Sequence, residues 1–154
     1  MSNNSTQSNI KTVTRPAIIN AARRWISTPF HHQGRMCGVG CDCLGLIIGI
    51  ANELKLLNKT GNPFSKYDRC DYHFQHDSHL LEKNLKLHLN TSQELIEGNI
   101  ALFTLAKYNQ HLGIIGFKNN EITVIHACMI AKKVIEQPLR QKLLLAISEI
   151  FSFI

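Results

Sequence analysis

Two cysteines stand in a small, glycine-rich run that leads directly into an apolar segment. The run is Gly38-Val39-Gly40-Cys41-Asp42-Cys43-Leu44-Gly45-Leu46, and the apolar residues after it predict a helix that begins at Cys43. The backbone N–H groups and the dipole at the start of a helix favour a thiolate over a thiol. Cys43 therefore lies where a cysteine nucleophile is expected, with Asp42 immediately before it.

A nucleophilic cysteine needs a base that takes and returns a proton, and a third group that orients the base. Of the eight histidines, His111 and His126 are linked by the strand pattern around them. Asn119-Asn120 predicts a two-residue hairpin loop, because asparagine tolerates positive φ. In that register Gly113 pairs with His126 and His111 lies on the same face, which makes the two histidines diagonal neighbours about 7–8 Å apart at the backbone. Geometry alone leaves open which histidine is the base.

The elements that position these residues divide the chain into a helical half and a strand half. Three helices are predicted: one capped by Thr14 with Pro16 in its first turn, one from Cys43 to Leu57, and one that opens at Ser78. Strands are predicted over Ile100 to Leu105, Leu112 to Phe117, Ile122 to Ala127 and Val134 to Gln137. A final strand after a short helical stretch is predicted within Leu143 to Ile154. Helices followed by strands indicate an α+β fold.

Two glycines inside the second predicted helix indicate close packing around it. Gly45 and Gly49 each cost about 1 kcal/mol relative to alanine in a helix interior. They are plausible there only if a neighbouring element approaches the helix closely. The nucleophile helix is therefore predicted to be central and tightly covered.

Length and composition predict one globular domain with a short tail. The chain has 154 residues, of which 44% are hydrophobic, which is ordinary for a globular protein. Residues 1–13 are predicted to be a disordered tail and residues 14–154 a single domain. The tail has no apolar core of a signal peptide, and no run of about 18 apolar residues predicts a membrane span. The expectation is therefore cytoplasmic synthesis without a membrane span.

The distribution of charge and the cysteine count argue against a nucleic-acid-binding protein and against a disulfide-stabilised one. The net charge of +6 suggests an anionic partner, but the lysines and arginines are spread along the chain, and no nucleic-acid partner is predicted. Five cysteines without a secretion signal do not predict a disulfide framework.

A metal site is the competing interpretation of the cysteine-rich run. Cys37, Cys41 and Cys43, together with His31 and His32, are metal-ligating residue types close in sequence. Structural zinc sites favour a C-x₂-C pair with a second, distant pair, and the spacing C-x₃-C-x-C does not match that. No metal and no cofactor are predicted.

Several blocks of the sequence resemble a known family. Ala22-Arg23-Arg24-Trp25-Ile26-Ser27-Thr28-Pro29-Phe30-His31-His32-Gln33 and the run Gly38 to Leu46 are similar to the NlpC-type cell-wall cysteine peptidases. Three later blocks match as well: Glu97-Gly98-Asn99-Ile100-Ala101-Leu102-Phe103, His111-Leu112-Gly113-Ile114-Ile115 and Val124-Ile125-His126-Ala127. The resemblance runs from about Pro16 to the C-terminus. It is strongest to the branch found among tail genes of phages and gene transfer particles.

The resemblance implies a fold, an activity and site residues. The fold would be papain-like, with the nucleophile helix packed on a C-terminal antiparallel sheet. The activity would be hydrolysis of amide bonds in peptidoglycan stem peptides, commonly between D-glutamate and the diamino acid, by a phage or prophage tail component in contact with other tail proteins. Cys43 would be the nucleophile, His111 the general base and His126 the residue that orients it.

The chain also departs from the family pattern. Phe30 stands where relatives carry a tyrosine whose hydroxyl is thought to polarise the substrate carbonyl, and Ser27 stands where the phage branch has glycine. Phe30, His32 and Asp42 are the candidates for substrate or oxyanion contacts, although Asp42 is also a candidate helix cap. Two alternatives therefore stay open: a catalytically impaired structural tail component with the same fold, and a related amidase or acyltransferase.

Overall fold

The structure is a computed structural model that describes residues 12–68, 78–106 and 109–154. Residues 1–11, which make up most of the predicted tail, lie outside the described residues. The helices of the described part are α1 (Arg15–Arg24), α2 (Cys43–Glu53), α3 (Ser78–His88) and α4 (Gln141–Ala146). Its strands are β1 (Arg35–Met36), β2 (Gly40–Cys41), β3 (Asn90–Ser92), β4 (Ile100–Ala106), β5 (Asn109–Lys118), β6 (Glu121–Cys128), β7 (Lys133–Pro138) and β8 (Ile147–Ser152).

The described strands form a small hairpin and a larger antiparallel sheet. The larger sheet has six strands in the order β3-β8-β4-β5-β6-β7, and each neighbouring pair is antiparallel. The four predicted strands and the final strand after a short helix are all present, so the α+β prediction is confirmed. The hairpin β1–β2 and the short strand β3 lie in segments where the sequence predicted no strand.

The first helix begins and ends as its sequence indicates. The Thr14 hydroxyl accepts a hydrogen bond from the Ala17 amide at 3.4 Å, and Pro16 lies in the first turn. After α1 the chain turns at Ser27, whose φ of 75° is in the left-handed region. Glycine adopts this region more readily than serine, so the position where similar sequences carry glycine is a true turn position here.

The nucleophile helix is shorter than predicted. It ends at Glu53 rather than Leu57 because Lys55 adopts a φ of 53°, which right-handed helix geometry does not allow. The Leu56 amide then donates to the Ala51 carbonyl at 2.8 Å, which closes the helix end. The apolar residues continue past the end of the helix, so their spacing does not mark where the helix stops. The predicted helix was therefore four residues too long.

The two glycines of α2 are explained by close packing, as predicted. A Cβ added to Gly45 would lie 1.9 Å from the Gly34 carbonyl oxygen, and one added to Gly49 would lie 2.2 Å from the Trp25 ring. No side chain larger than hydrogen fits at either contact. Helix α2 is therefore held closely between the loop after α1 and the ring at the end of α1.

The core lies between the helices and one face of the sheet. Side chains from α1, α2, α3 and the sheet form this main cluster, which includes Ile18, Leu46, Ile50, Leu85, Ile100, Leu112, Ile114 and Ile125. A smaller cluster covers the opposite face beneath α4 and includes Phe103, Ile115, Val124 and Leu143. None of the helices in the described part is both long and apolar enough to cross a bilayer.

Candidate active site

Asp42 caps the helix that begins at Cys43. Its Oδ1 accepts a hydrogen bond from the Gly45 amide at 2.7 Å, and its Oδ2 accepts one from the Gln33 amide at 2.8 Å. The Arg35 guanidinium lies 3.2 Å from the same carboxylate. Only 3% of Asp42 is exposed. The carboxylate therefore fixes the start of α2 against the preceding loop, as the cap prediction required.

Cys43 is the first residue of α2 and is 7% exposed. The nearby backbone N–H groups of Leu112, Leu44 and Cys43 itself lower the pKa of its thiol and favour the thiolate. Burial opposes them more strongly, and the Asp42 carboxylate adds repulsion, so the pKa of the Cys43 thiol is raised to about 12. Burial therefore opposes the thiolate that the helix start favours, and it outweighs the helix amides.

The sheet opens between β5 and β6 at the level of Cys43. Their ladder runs from Lys118 opposite Glu121, the predicted two-residue register, to Ile114 opposite Ile125. Beyond that pair β5 continues against β4 and β6 continues against β7. The Leu112 N–H is therefore not used in the β5–β6 ladder, and it lies where it favours the Cys43 thiolate. This opening is what brings a helix start to the strand that carries His111.

His111 and His126 bridge this opening. His111 Nε2 and His126 Nδ1 are 2.7 Å apart, and the two rings meet edge to face with centroids 4.9 Å apart. The structure thus brings the two histidines together on one face, as the hairpin register predicted. Gly113 makes room for the contact, since a Cβ there would lie 3.2 Å from His126 Cβ and 2.4 Å from Val124 Cγ2.

Desolvation favours the neutral form of both imidazoles, of which His126 is buried and His111 is half-buried. Burial, and then the neighbouring His126, lower the pKa of His111 to about 3. Burial lowers the pKa of His126 to about 4. A neutral imidazole has one nitrogen that donates and one that accepts. The pair can therefore share a single directed hydrogen bond and carry no net charge at neutral pH.

Gln137 completes the cluster, and sequence reasoning missed it. Its side-chain amide lies 2.9 Å from His126 Nε2. In the β6–β7 ladder His126 faces Ile135 and Val124 faces Gln137, so Gln137 is the diagonal neighbour of His126 on the same face. Extending the strand-register argument from β6 to β7 would have found it.

The nitrogens of the two histidines are used differently. His126 has both ring nitrogens in hydrogen bonds, one to His111 and one to Gln137. Within the described part of the chain, His111 uses only Nε2. Its Nδ1 is the one nitrogen of the pair left for another group, and the backbone N–H of the next residue, Leu112, lowers the pKa of the Cys43 thiol.

The other predicted site residues lie around this centre. Phe30 pairs with Cys41 in a parallel bridge and is half-buried against the main core. His32 is exposed, with its Nδ1 3.9 Å from the Asp42 carboxylate. Cys37 is exposed near the Arg24 carbonyl oxygen, whereas Cys41 is fully buried in the core. Cys37 therefore differs from Cys43 in exposure, whereas Cys41 shares its burial in the main core and differs in lying before the helix start.

Solved structures with this fold include proteins named as a peptidoglycan hydrolase and as an N-acetylmuramoyl-L-alanine amidase. The NlpC/p60 domain of the peptidoglycan hydrolase SagA superposes with a TM-score of 0.55 at 17% identity, over 91% of this chain and 99% of that domain. An NlpC/p60 family protein from Bacillus cereus gives 0.58 at 18% identity, over 94% of this chain but 41% of that protein. An N-acetylmuramoyl-L-alanine amidase from Bacteroides uniformis gives 0.56 at 12% identity, over 89% and 96%. No protein-family model matches the sequence, and no curated protein matches it.

These likenesses define the fold class. The chain has the papain-like α+β fold of NlpC/p60 domains, with helix α2 packed on an antiparallel sheet. The predicted fold class is confirmed. At these levels of identity the fold is what is shared, and the chemistry has to be argued from the residues of the site.

The buried histidines predict a specific loss of stability in acid. Below about pH 6.5 the unfolded chain binds protons at both histidines, whereas the folded chain resists them until about pH 4 at His126 and about pH 3 at His111. The contribution of the neutral pair is complete above pH 6.5 and is lost as pH falls, by about 1.4 kcal/mol per pH unit for each histidine. Urea unfolding at pH 7, 6, 5 and 4 should show this slope. His126→Asn should flatten it, and an unchanged slope in that variant would contradict the burial argument.

Proposed function

We propose that this protein is a cysteine-type hydrolase that cleaves amide bonds in peptidoglycan stem peptides. The observation that carries the proposal is that Cys43 begins α2 near the backbone N–H of Leu112, the residue that follows His111, and that His111 is hydrogen-bonded to His126. A nucleophile, a base and an orienting group are the parts that amide hydrolysis through a covalent intermediate requires. The fold shared with the named peptidoglycan hydrolase supports this choice of substrate.

The first half of the reaction forms a thioester. His111 Nδ1 takes the proton of the Cys43 thiol as the sulfur attacks the carbonyl carbon of the scissile amide. The first amides of a helix have no partners within it, so those of Cys43 and Leu44 are the donors available to the developing negative charge. The C–N bond then breaks, and His111 returns its proton to the leaving amine.

The second half releases the acyl product. A water molecule loses a proton to His111 and attacks the thioester carbon. The C–S bond breaks, and the sulfur regains the proton from His111. His126 holds the His111 ring throughout by the 2.7 Å hydrogen bond to its Nε2. Because the resting pair is neutral, each proton transfer occurs with substrate in place rather than in advance.

Digestion of defined muropeptides by the full-length chain tests the proposal. Cleavage between D-glutamate and the diamino acid adds one water and leaves a new amine on the diamino acid, which mass spectrometry of the products identifies. Absence of every stem-peptide fragment, at protein concentrations where the chain is folded, would overturn the proposal.

An amidase is the second candidate, favoured by a specific comparison. The named amidase from Bacteroides uniformis has the same fold over nearly its whole length. The same nucleophile and base would then cut the bond between N-acetylmuramic acid and L-alanine. Release of an intact stem peptide in the muropeptide digestion separates this activity from the endopeptidase. An acyltransferase would instead give a new amide or ester when an acceptor is added.

A structural tail component without activity is the alternative that Phe30 favours. The Phe30 ring carries no donor where a hydroxyl is expected in similar sequences. A single oxyanion donor is worth about 10²–10³ in rate.

We therefore predict that Phe30→Tyr raises kcat on muropeptides by about tenfold or more. Phe117→Tyr, on an exposed phenylalanine of β5, is the matched control. Equal rates for wild type and Phe30→Tyr would show that this hydroxyl is not what the site lacks.

Incorporation in a phage-type tail is the narrowest form of the proposal. It is supported by the sequence blocks that resemble the phage-associated branch, and it implies contacts with other tail proteins. Electron microscopy of particles that carry a tagged copy of this chain tests it, with label at the tail as the expected result.

A further inference from the structure

We infer that Gln137 is a positioning residue which sets the tautomers of both histidines through its side-chain amide. The inference rests on the proposed function, because it explains how the same site is kept ready to act. It concerns three hydrogen-bonding groups in a row: the Gln137 amide, His126 and His111.

The row transmits the direction of a hydrogen bond from one end to the other. Each imidazole is neutral, so a nitrogen that donates on one side makes the other nitrogen an acceptor. Gln137 Nε2 lies 2.9 Å from His126 Nε2, so the structure presents the amide NH₂ to His126. His126 Nδ1 lies 2.7 Å from His111 Nε2. The group that Gln137 presents to His126 therefore decides whether His111 Nδ1 carries a proton.

The two ends of the amide give opposite results. With the amide NH₂ toward His126, as the structure has it, His126 Nε2 accepts, His126 Nδ1 donates to His111, and the proton of His111 lies on Nδ1. That tautomer cannot accept a proton from Cys43. With the amide oxygen toward His126, every hydrogen bond in the row reverses, and His111 Nδ1 has a free lone pair. Rotation of one side-chain amide thus switches the base between an incompetent and a competent form.

The position of Gln137 suits this role. It lies on β7, a strand held to β6 by a continuous ladder from Thr123–Pro138 to Cys128–Lys133. It is half-buried, so water competes weakly for His126 Nε2. Glutamine is also a side chain that offers a donor and an acceptor at nearly the same place, which makes both directions available at this site.

Two substitutions at Gln137 separate positioning from packing. Gln137→Glu gives His126 an acceptor only, which favours the competent tautomer. Gln137→Met keeps a similar length and removes both functions. We expect Gln137→Met to lower kcat by about 10- to 100-fold with KM changed less than twofold, and Gln137→Glu to keep kcat within threefold of the wild type. Ile135→Val, which alters the residue opposite His126 without a hydrogen bond, is the matched control and should keep wild-type kcat.

Nitrogen-15 NMR of the histidine rings reads the tautomers without any substrate, so it stands even if the proposed activity fails. At pH 7 we expect Gln137→Glu to place the proton of His111 on Nε2. We expect Gln137→Met to give a mixture of both tautomers. Signals are assigned by comparison with His111→Asn and His126→Asn. Identical His111 tautomers in wild type and both Gln137 variants would overturn the inference, as would equal losses of kcat in Gln137→Met and Gln137→Glu.

Discussion

Replacing Cys43 with alanine is expected to abolish hydrolysis of muropeptides, with kcat reduced by at least about 10⁴-fold. Loss of the nucleophile removes the covalent route, and what remains is the smaller effect of binding and oxyanion contacts. The measurement is release of stem-peptide fragments per unit time from a defined muropeptide, quantified by mass spectrometry.

The control for this change is another thiol of the same chain. Cys37→Ala removes an exposed thiol at the β1–β2 hairpin and should leave kcat unchanged. Cys43 is buried in the core, so the thermal unfolding midpoint of Cys43→Ala is measured alongside its activity. A folded Cys43→Ala variant that retains hydrolysis would contradict the assignment of the nucleophile.

The strand register is the part of the site that sequence predicted well. One pair of asparagines fixed the β5–β6 hairpin, and counting from it placed His111 and His126 on one face. The structure has that register from Lys118–Glu121 to Ile114–Ile125. Successive residues of a strand point to opposite faces of the sheet, so a fixed register decides the face of every residue. The turn at Asn119-Asn120 was therefore enough to place two histidines that are fifteen residues apart in the sequence.

The electrostatic state of the site could not be predicted in the same way. A helix start favours a thiolate, and that rule is local. The pKa of Cys43 is nevertheless raised, because the surrounding core removes water from the sulfur. The burial of Cys43 depends on helices and strands that pack together in the main core. These elements lie far apart in the sequence, so no short stretch of sequence predicts it. Gln137 was missed for a related reason, since its role appears only when β7 is aligned with β6.

The roles of the two histidines can be separated by replacing each with glutamine. His126 uses both ring nitrogens within the cluster, whereas His111 uses only Nε2 among the described residues, and we propose that its Nδ1 serves the thiol. We therefore expect His111→Gln to lower kcat by about 10³-fold or more, because no other group of the cluster can take the proton from Cys43. His126→Gln should cost at least about tenfold less, because a glutamine amide oxygen can still accept from His111 Nε2 and hold the ring.

Which of the two variants loses more kcat decides which histidine is the base. Both variants remove one buried imidazole from the same contact, so their effects on packing are comparable, and each variant's unfolding midpoint corrects for the difference. A general base is required in every turnover, whereas an orienting group changes the fraction of time the base is aligned. If His126→Gln proved the more damaging change at equal stability, His126 would be the base, and the proton path would run from Cys43 to the other histidine.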